Sequence, residues 1–360
     1  MSLYYVIVTL VCLLGLISID KHINRHQTLY MFFVIFIILS IFAGTRLIGH
    51  DYETYAFHYN TLKPIDEYYR SDLSMELGYE YIASIIKYFS QNFNIFLLIY
   101  TFLSLLISFY TFWKYSPYPI ISIMLFCAFW YFIMVMGQMR QPFAVALSYY
   151  FAIPLLLRKK RLIASLIILW FGILFHKSLF FFSLFIGLSV LNISYKKYIM
   201  LFCLAIFILV TSSLFLNNLL IAVLPKDFYL YSTAVSYLTY KSESMMFSLG
   251  MLERIGCCVV IFYFTNKNQI NNSLLKICSN IYALGSIFYI SLLGVSTEFA
   301  ARGSHPFTFS LFIALPILIK ELRGKQRSIV ISVAFLLSLY HFTDFLTNPS
   351  LYNPYKSILW

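Results

Sequence analysis

Charge is what this chain has least of. Of 360 residues, 14 are acidic and 26 basic, 11% charged in all, against 61% hydrophobic. That excludes a soluble globule, which needs far more polar side chains to face water. The cysteines exclude a thiolate metal centre, because none forms a C-x-x-C pair. Cys12, Cys127, Cys203, Cys257, Cys258 and Cys278 all fall in or beside apolar runs, where small thiols are ordinary packing residues. Basic residues and a small-residue cleavage site are missing from Met1 to Ile19, so this stretch is expected to be a retained first span and not a signal peptide. The net charge of +12 does not point to nucleic acid, since Lys and Arg are not gathered on one stretch. No internal repeat, low-complexity tract or inverted-repeat signature of a transporter is visible.

What the chain has is apolar length. Runs at 2–19, 28–47, 93–112, 119–137, 141–157, 162–176, 177–194, 198–216, 247–265, 275–295, 305–319 and 328–346 are each compatible with crossing ~30 Å of hydrocarbon, the short pair 162–176 and 177–194 as a tight or tilted hairpin. The fold expected is an all-α, polytopic membrane helical bundle of about twelve spans, with residues 1–360 as a single integral membrane domain. One set of connections holds Lys21, Arg25, Lys114, Arg158 to Arg161, Lys196, Lys197, Lys267, Lys276, Lys320, Arg323, Lys325 and Arg327, with only Asp20 and Glu321 for company. Short basic loops stay in the cytoplasm, so both termini are expected on the periplasmic side. That side then carries two long polar excursions, 48–92 and 217–246. The first contains an amphipathic stretch, Glu76 to Ser90, expected to lie along the interface as a helix. Loops of this length in a compact membrane protein usually carry function.

Four polar clusters map to that face. The first follows the second span: Gly44-Thr45-Arg46-Leu47-Ile48-Gly49-His50-Asp51-Tyr52-Glu53-Thr54-Tyr55. Arg46 is either a snorkelling cation paired with Asp51 or an anion contact with a carboxylate beside it. Asp51-x-Glu53 also has a spacing that can hold a divalent cation, although no metal or other cofactor is expected. The second is Gly137-Gln138-Met139-Arg140-Gln141-Pro142. Proline suits a first helical turn, so a helix should begin near Pro142 with Arg140 just ahead, and a helix N-terminus plus a guanidinium fork suits a phosphate. The alternative is a proline kink in one long segment. The third, Arg302-Gly303-Ser304-His305-Pro306, repeats that grammar, with Ser304 or His305 as cap and Glu298 placed to orient Arg302. Two such cradles would suit two lipid-phosphate substrates. The fourth is the Phe175-His176-Lys177-Ser178 turn, where His and Lys at membrane depth both need partners or water. Arg254 beside Glu253 reads as a structural ion pair.

Taken in order, Arg46-x-x-Gly49-x-Asp51-Tyr52-x-x-Tyr55, Met139-Arg140-Gln141-x-x-Ala144, Phe175-His176-Lys177-Ser178 and Pro354-Tyr355-Lys356 resemble the EpsG/Wzy-type family of bacterial polysaccharide polymerases. One departure is Gly137-Gln138, where family members often carry an asparagine. The resemblance implies a multi-helix membrane glycosyltransferase with a GT-C-like architecture in the inner membrane. Its substrate would be an undecaprenyl-diphosphate-linked oligosaccharide, its product O-antigen, capsule or exopolysaccharide, and its partners membrane lipids, a chain-length regulator and a flippase.

The chemistry such a reaction needs fits these residues. The acceptor hydroxyl attacks the donor's anomeric carbon and expels a lipid diphosphate, which is already a stable anion and needs no general acid, unlike the leaving group of a glycosidase. What is needed is cationic stabilisation and one base. The expected roles are diphosphate contacts for Arg46, Arg140 and Arg302, the base for Asp51 or His176, and glycan or orienting contacts for Tyr52, Glu53, Tyr55, Gln141, Lys177, Glu298 and His305. A glycan ligase, a lipid-linked glycan carrier or flippase and a membrane O-acyltransferase stand as alternatives.

Overall fold

The computed structural model of the chain describes residues 2–20, 22–69, 75–223, 247–347, 352 and 354–359, with the side chains of all of these but Ser2 and 212–223. Among the described residues there is no strand, only an isolated antiparallel bridge between Arg46 and Ser357. The helices, in order, are α1 (Ser2–Ile17), α2 (Arg25–Gly44), α3 (Tyr52–Thr61), α4 (Leu77–Phe89), α5 (Phe93–Tyr115) and α6 (Pro119–Phe126), which runs on as a π-helix over Cys127–Val135. They continue as α7 (Arg140–Leu157), α8 (Arg161–Leu174), α9 (Leu179–Ile186) with a 3-10 turn at Gly187–Val190, α10 (Tyr195–Val223), α11 (Leu249–Lys267), α12 (Ser273–Leu293), α13 (Thr297–Thr308), α14 (Leu311–Glu321) and α15 (Gly324–Thr347). In hydrocarbon every backbone group must be paired within its own segment, which is why apolar runs here become helices.

The starts of these helices follow local chemistry. Asn24 and Gln27 form a reciprocal capping box on α2, and Asn92, Ser248 and Asn272 accept backbone N–H bonds at the starts of α5, α11 and α12. Pro119 opens α6, where its missing N–H costs nothing. By length and composition, α2, α5, α11, α12 and α15 can cross a membrane, and α13 with α14 would make a sixth if that bent pair is one span. The protein is thus an all-helical, polytopic membrane protein. Other runs expected as spans form shorter apolar helices, among them α1, α8 and α9. The expected excursion at 217–246 is helical up to Val223, the end of α10, and its remainder lies outside the described residues.

One expected helix start is wrong. Pro306 does not open a helix: α13 begins ten residues earlier at its N-cap Ser296, whose side chain accepts from the Phe299 N–H, with Glu298 in the first turn. Arg302 and His305 therefore lie inside a helix, and neither Ser304 nor His305 is a cap. A good cap outranks a proline here because Pro306 sits near the other end of α13, where its missing N–H removes only one late backbone bond. The helix ends two residues later at Thr308, and α14 starts at Leu311.

The chain divides into two compact units, Met1–Phe151 with Trp170–His176 and Leu315–Trp360, and Ala152–Leu169 with Lys177–Ala314. In the first, α2 packs on α5 through Phe32–Phe109 and Phe36–Phe102 edge contacts. Tyr4 of α1 sits among the rings of Phe42, Phe132, Phe345 and Tyr355, tying α1, α2, the π-helix, α15 and the C-terminal tail together. In the second unit α12 is the hub, touching α10, α11, α13 and the 3-10 turn. Asn280 fixes that packing by accepting from the Tyr198 hydroxyl at 2.8 Å and donating to the Ser189 and Leu191 carbonyls.

The stretch expected as an interfacial helix is α4, whose buried face mixes Tyr79, Ala83 and Ile86 with polar side chains. Tyr81, Ile85, Tyr88 and Phe89 are exposed on one face, while Glu80, Ser84 and Lys87 are buried on the other. The buried charges are all paired. Lys87 donates to the Tyr59 and Asn60 carbonyls of α3, and Ser84 donates to the Lys63 carbonyl. Polar bonds therefore join α3 to α4 as a unit.

Candidate active site

Within the first unit the chain brings two arginines, 46 and 140, to the ends of α2 and α7. Arg46 follows the C-cap of α2 and is 1% exposed. Its guanidinium donates to the Ala43 carbonyl and to the Met139 sulfur, and its buried Nε has no hydrogen-bond partner. Among the described residues no carboxylate lies within ion-pair distance of it, so the alternative of a snorkelling cation paired with Asp51 is not seen; Asp51 lies 3.8 Å from His50 instead. Burial pulls the Arg46 guanidinium down to about 10, which leaves it protonated at neutral pH. The C-terminal tail crosses this point. Leu47 N–H donates to Lys356 O, Ile358 N–H to Thr45 O, and Tyr355 stacks on Phe42 at 4.1 Å. The Pro354-Tyr355-Lys356 motif is thus placed beside Arg46.

Two glycines make that approach possible. Gly49 has φ +143°, and a Cβ there would meet the Met136 carbonyl at 2.3 Å. A Cβ on Gly137 would meet Ile133 O at 2.3 Å and the Tyr352 hydroxyl at 2.6 Å. Residues 133 and 136 end the π-helix, a wound form that recurs at functional sites. Its Tyr131 donates to Leu39 O of α2 at 2.5 Å, which locks the π-helix to the helix that leads into Arg46.

Arg140 is the first residue of α7, with Pro142 in the first turn as expected from its missing N–H. Its Nη1 makes an ion pair with Glu76, the residue that precedes α4, and its Nε donates to the Tyr55 hydroxyl at 3.3 Å. The guanidinium also lies over the rings of Tyr55 and Tyr79, 5.6 and 5.8 Å from their centroids. The Arg140 and Glu76 side chains are 22% and 10% exposed. Gln141 is fully buried beside them. Burial pushes the Tyr55 phenol up, Arg140 pulls it back, and Asp51 and Glu76 push it further up. Arg46 also acts on Tyr55, so the two arginines, Asp51 and Glu76 converge electrostatically on one hydroxyl.

Behind this lies a second layer. His58 Nε2 is 3.1 Å from Glu80 Oε1, and Glu80 also accepts from the Tyr68 hydroxyl at 2.6 Å and the Met75 N–H at 2.5 Å. Burial lowers the His58 pKa below 6.5, with the bond to Glu80 acting in the opposite sense. These contacts fix the α3–α4 pair that presents Tyr55 and Glu76.

The other expected residues are placed as follows. Asp51 is the N-cap position of α3 without a side-chain cap bond, 32% exposed at its side chain. Tyr52 donates to Asn94 at 3.3 Å and packs its ring on Phe93, and Glu53 is exposed in the first turn. Tyr55 is buried, so its ring faces Arg140 and Tyr79 and is not an open platform for a sugar. His176 is half-buried at the turn after α8. The preceding residue, Phe175, packs on Phe143 of α7 at 5.1 Å, which brings the turn close to the start of that helix.

Lys177, Glu298, Arg302 and His305 belong to the second unit. There Arg302 Nη2 pairs with Glu298 at 2.6 Å, one turn back along α13. Arg254 of α11 donates to Ser304 at 3.1 Å and Thr308 at 3.4 Å and lies 4.3 Å over the Tyr289 ring, so it ties α11 to α12 and α13. His305 feels both Arg254 and Arg302. Among the described residues no group of three His, Cys, Asp or Glu side chains is arranged to hold a metal ion.

Sequence reasoning missed Glu76, His58, Glu80 and Tyr79. The one signal for Glu76 was its position at the head of the amphipathic stretch. Nothing in a single sequence says which of several loop acids meets Arg140. Among the comparisons with known proteins, the model of the EpsG family matches residues 29–357, nearly the whole chain. No curated protein and no solved structure matches it.

Proposed function

Since the chain belongs to the EpsG family, a Wzy-type polymerase family, we propose that it polymerises oligosaccharide repeat units carried on undecaprenyl diphosphate, at the periplasmic face of the bacterial inner membrane. In this reading about twelve segments cross or enter the bilayer and both termini face the periplasm, which puts the short basic loops in the cytoplasm. A chain-length regulator and a flippase are its expected partners.

The observation that carries the proposal is Arg46, a buried and protonated guanidinium that among the described residues has no carboxylate partner and leaves its Nε donor unused. A lipid diphosphate would supply the missing acceptor. Arg140 is the second contact: it is partly open, and Glu76, Tyr55 and Tyr79 hold its fork in place before substrate arrives. Prepositioned cations of this kind stabilise the charge that develops on the leaving diphosphate.

Of the acids around Tyr55, Asp51 is the one proposed as base. Glu76 is engaged by Arg140, whereas Asp51 makes no cap bond and acts electrostatically on both Tyr55 and Tyr352. The acceptor hydroxyl gives its proton to Asp51 while its oxygen bonds the anomeric carbon of the donor. The bond from that carbon to the lipid diphosphate breaks, and the diphosphate leaves with the electron pair. Tyr52, Glu53 and Gln141 are proposed glycan or orienting contacts, as is Lys177 within its own unit, and His176 is the alternative base. Arg302, oriented by Glu298 and flanked by His305, is proposed to hold the lipid diphosphate of the second substrate.

Binding of the leaving group tests this. A polyprenyl diphosphate should bind purified protein at least about tenfold more tightly than the monophosphate, and the preference should vanish in Arg46→Gln. Equal binding of the two lipids, or an unchanged preference in that variant, would remove Arg46 from the site.

A further inference from the structure

The first unit has a cavity that the polymerase reaction does not use. It encloses about 520 Å³ and is lined by Ser18, Ile19, Asp20 and Ile23 after α1, Arg25 and Thr28 of α2, Trp113, Ser116 and Pro117 at the end of α5, Tyr118 and Pro119 entering α6, and Arg327 of α15. The starts of α2, α6 and α15 meet here with the ends of α1 and α5. These are connections of the short, basic set, opposite in chain order to those that carry Arg46 and Arg140.

Two guanidiniums sit in this cavity against aromatic rings. Arg25 lies 5.7 Å over Trp113, and Arg327 lies 5.7 Å over Tyr118. Arg327 donates from Nη2 to the Tyr118 hydroxyl at 3.0 Å and to the Ile19 carbonyl at 3.4 Å, while its buried Nε has no acceptor among the described residues. Asp20, the one acid in the lining, accepts the His22 N–H at 3.0 Å and makes no ion pair within 4.0 Å among the described residues. The hydroxyls are largely committed: Ser18 to Gly15 O, Thr28 to Asn24 O, and Ser116 as acceptor from Ser122. A cavity with two cations, one unused buried donor and a Trp and Tyr rim has the chemistry of a phosphate-bearing headgroup pocket at a membrane surface.

We propose that this cavity binds the phosphodiester headgroup of an anionic membrane lipid, held by Arg25 and Arg327 and walled by Trp113 and Tyr118. The lipid would brace five helix ends and so set how α1, α2, α5, α6 and α15 are held relative to one another. Lipid and not free phosphate is the favoured source, because the aromatic rim and apolar helices supply a surface for the acyl chains.

Full-length protein, purified in detergent and titrated with phosphatidylglycerol, phosphatidylcholine or inorganic phosphate, tests the idea by native mass spectrometry and thermal unfolding. Phosphatidylglycerol should be retained as a discrete bound lipid and raise the Tm, phosphatidylcholine should not, and inorganic phosphate should not reproduce the shift. Arg25→Gln, at an exposed position that leaves the fold intact, should lower retention about tenfold, and Arg327→Gln should do the same. Polyprenyl diphosphate binding should be unchanged in both, which separates this site from the proposed active site. Equal retention of the two phospholipids, an undiminished signal in Arg25→Gln, or an equal shift with inorganic phosphate would each overturn the assignment.

Discussion

Replacing Arg140 by lysine keeps the charge and removes the fork. In the protein that fork makes three kinds of contact at once: the ion pair to Glu76, the Nε bond to Tyr55 at 3.3 Å, and the faces of Tyr55 and Tyr79. An ammonium can reach one of these but not all, and it cannot engage two phosphate oxygens in parallel. Two costs follow and can be separated. Breaking a fully buried pair costs about 3–5 kcal/mol, and with 22% and 10% exposure the loss here should be nearer 1–3 kcal/mol of stability. If Arg140 also stabilises the leaving diphosphate, the rate falls by a further 2–4 kcal/mol or so, about 30- to 1,000-fold. Glu76→Gln supplies the control. It leaves Arg140 charged, with an amide oxygen to accept its bond, and should cost less than about tenfold in rate. The assay is single-turnover polymerisation with lipid-linked repeat units, at equal amounts of folded protein judged by size exclusion and Tm. Near wild-type turnover by a stably folded Arg140→Lys would refute the phosphate role and leave Arg140 as a structural pin for α4.

Other expectations follow from the same geometry. Asp51→Asn should abolish turnover without loss of lipid diphosphate binding; retained turnover would move the base elsewhere, with His176 next in order. Polymerisation should survive EDTA, and a loss reversed by Mg²⁺ or Mn²⁺ would make Asp51 and Glu53 metal ligands. His58 is held below its usual 6.5 by burial, so its contribution to stability is present above that pH and is lost as the pH falls toward its folded-state value. His58→Gln should flatten that part of the Tm–pH curve, and an unchanged slope would put the titration on another group. A reporter fused after Lys160 should read as cytoplasmic and one at Lys63 as periplasmic, and the reverse pattern would invert the proposed topology.

How much of this was legible in the sequence depends on the distance over which each feature is determined. Helix identity came through where one local signal governed, as with the apolar run that became α5, the proline near the start of α7 or the amphipathic run that became α4. The rule failed at Pro306 because a stronger local signal, Ser296 with Glu298 behind it, acted first. The Arg46–Gly49–Asp51 and Arg140–Gln141 motifs singled out residues but not the partners that the fold gives them. Glu76 meets Arg140 across 64 positions, and Tyr355 stacks on Phe42 across 313. A single chain carries no trace of such long-range pairings. The direction in which α4 turns its charged face was equally hidden, since periodicity shows that a helix has two faces but not which one packs inward.

Bond formation between lipid-linked sugars is the proposed activity, and it can be measured directly. Purified protein in a bilayer, given one lipid-linked repeat unit and nothing else, should yield a ladder of chain lengths, with one lipid diphosphate released for each bond formed. Transfer of a single unit onto lipid A would make it a ligase. No new glycosidic bond by a folded protein that binds the lipid would make it a carrier, and would contradict the assignment of Arg46, Arg140 and Asp51 to chemistry.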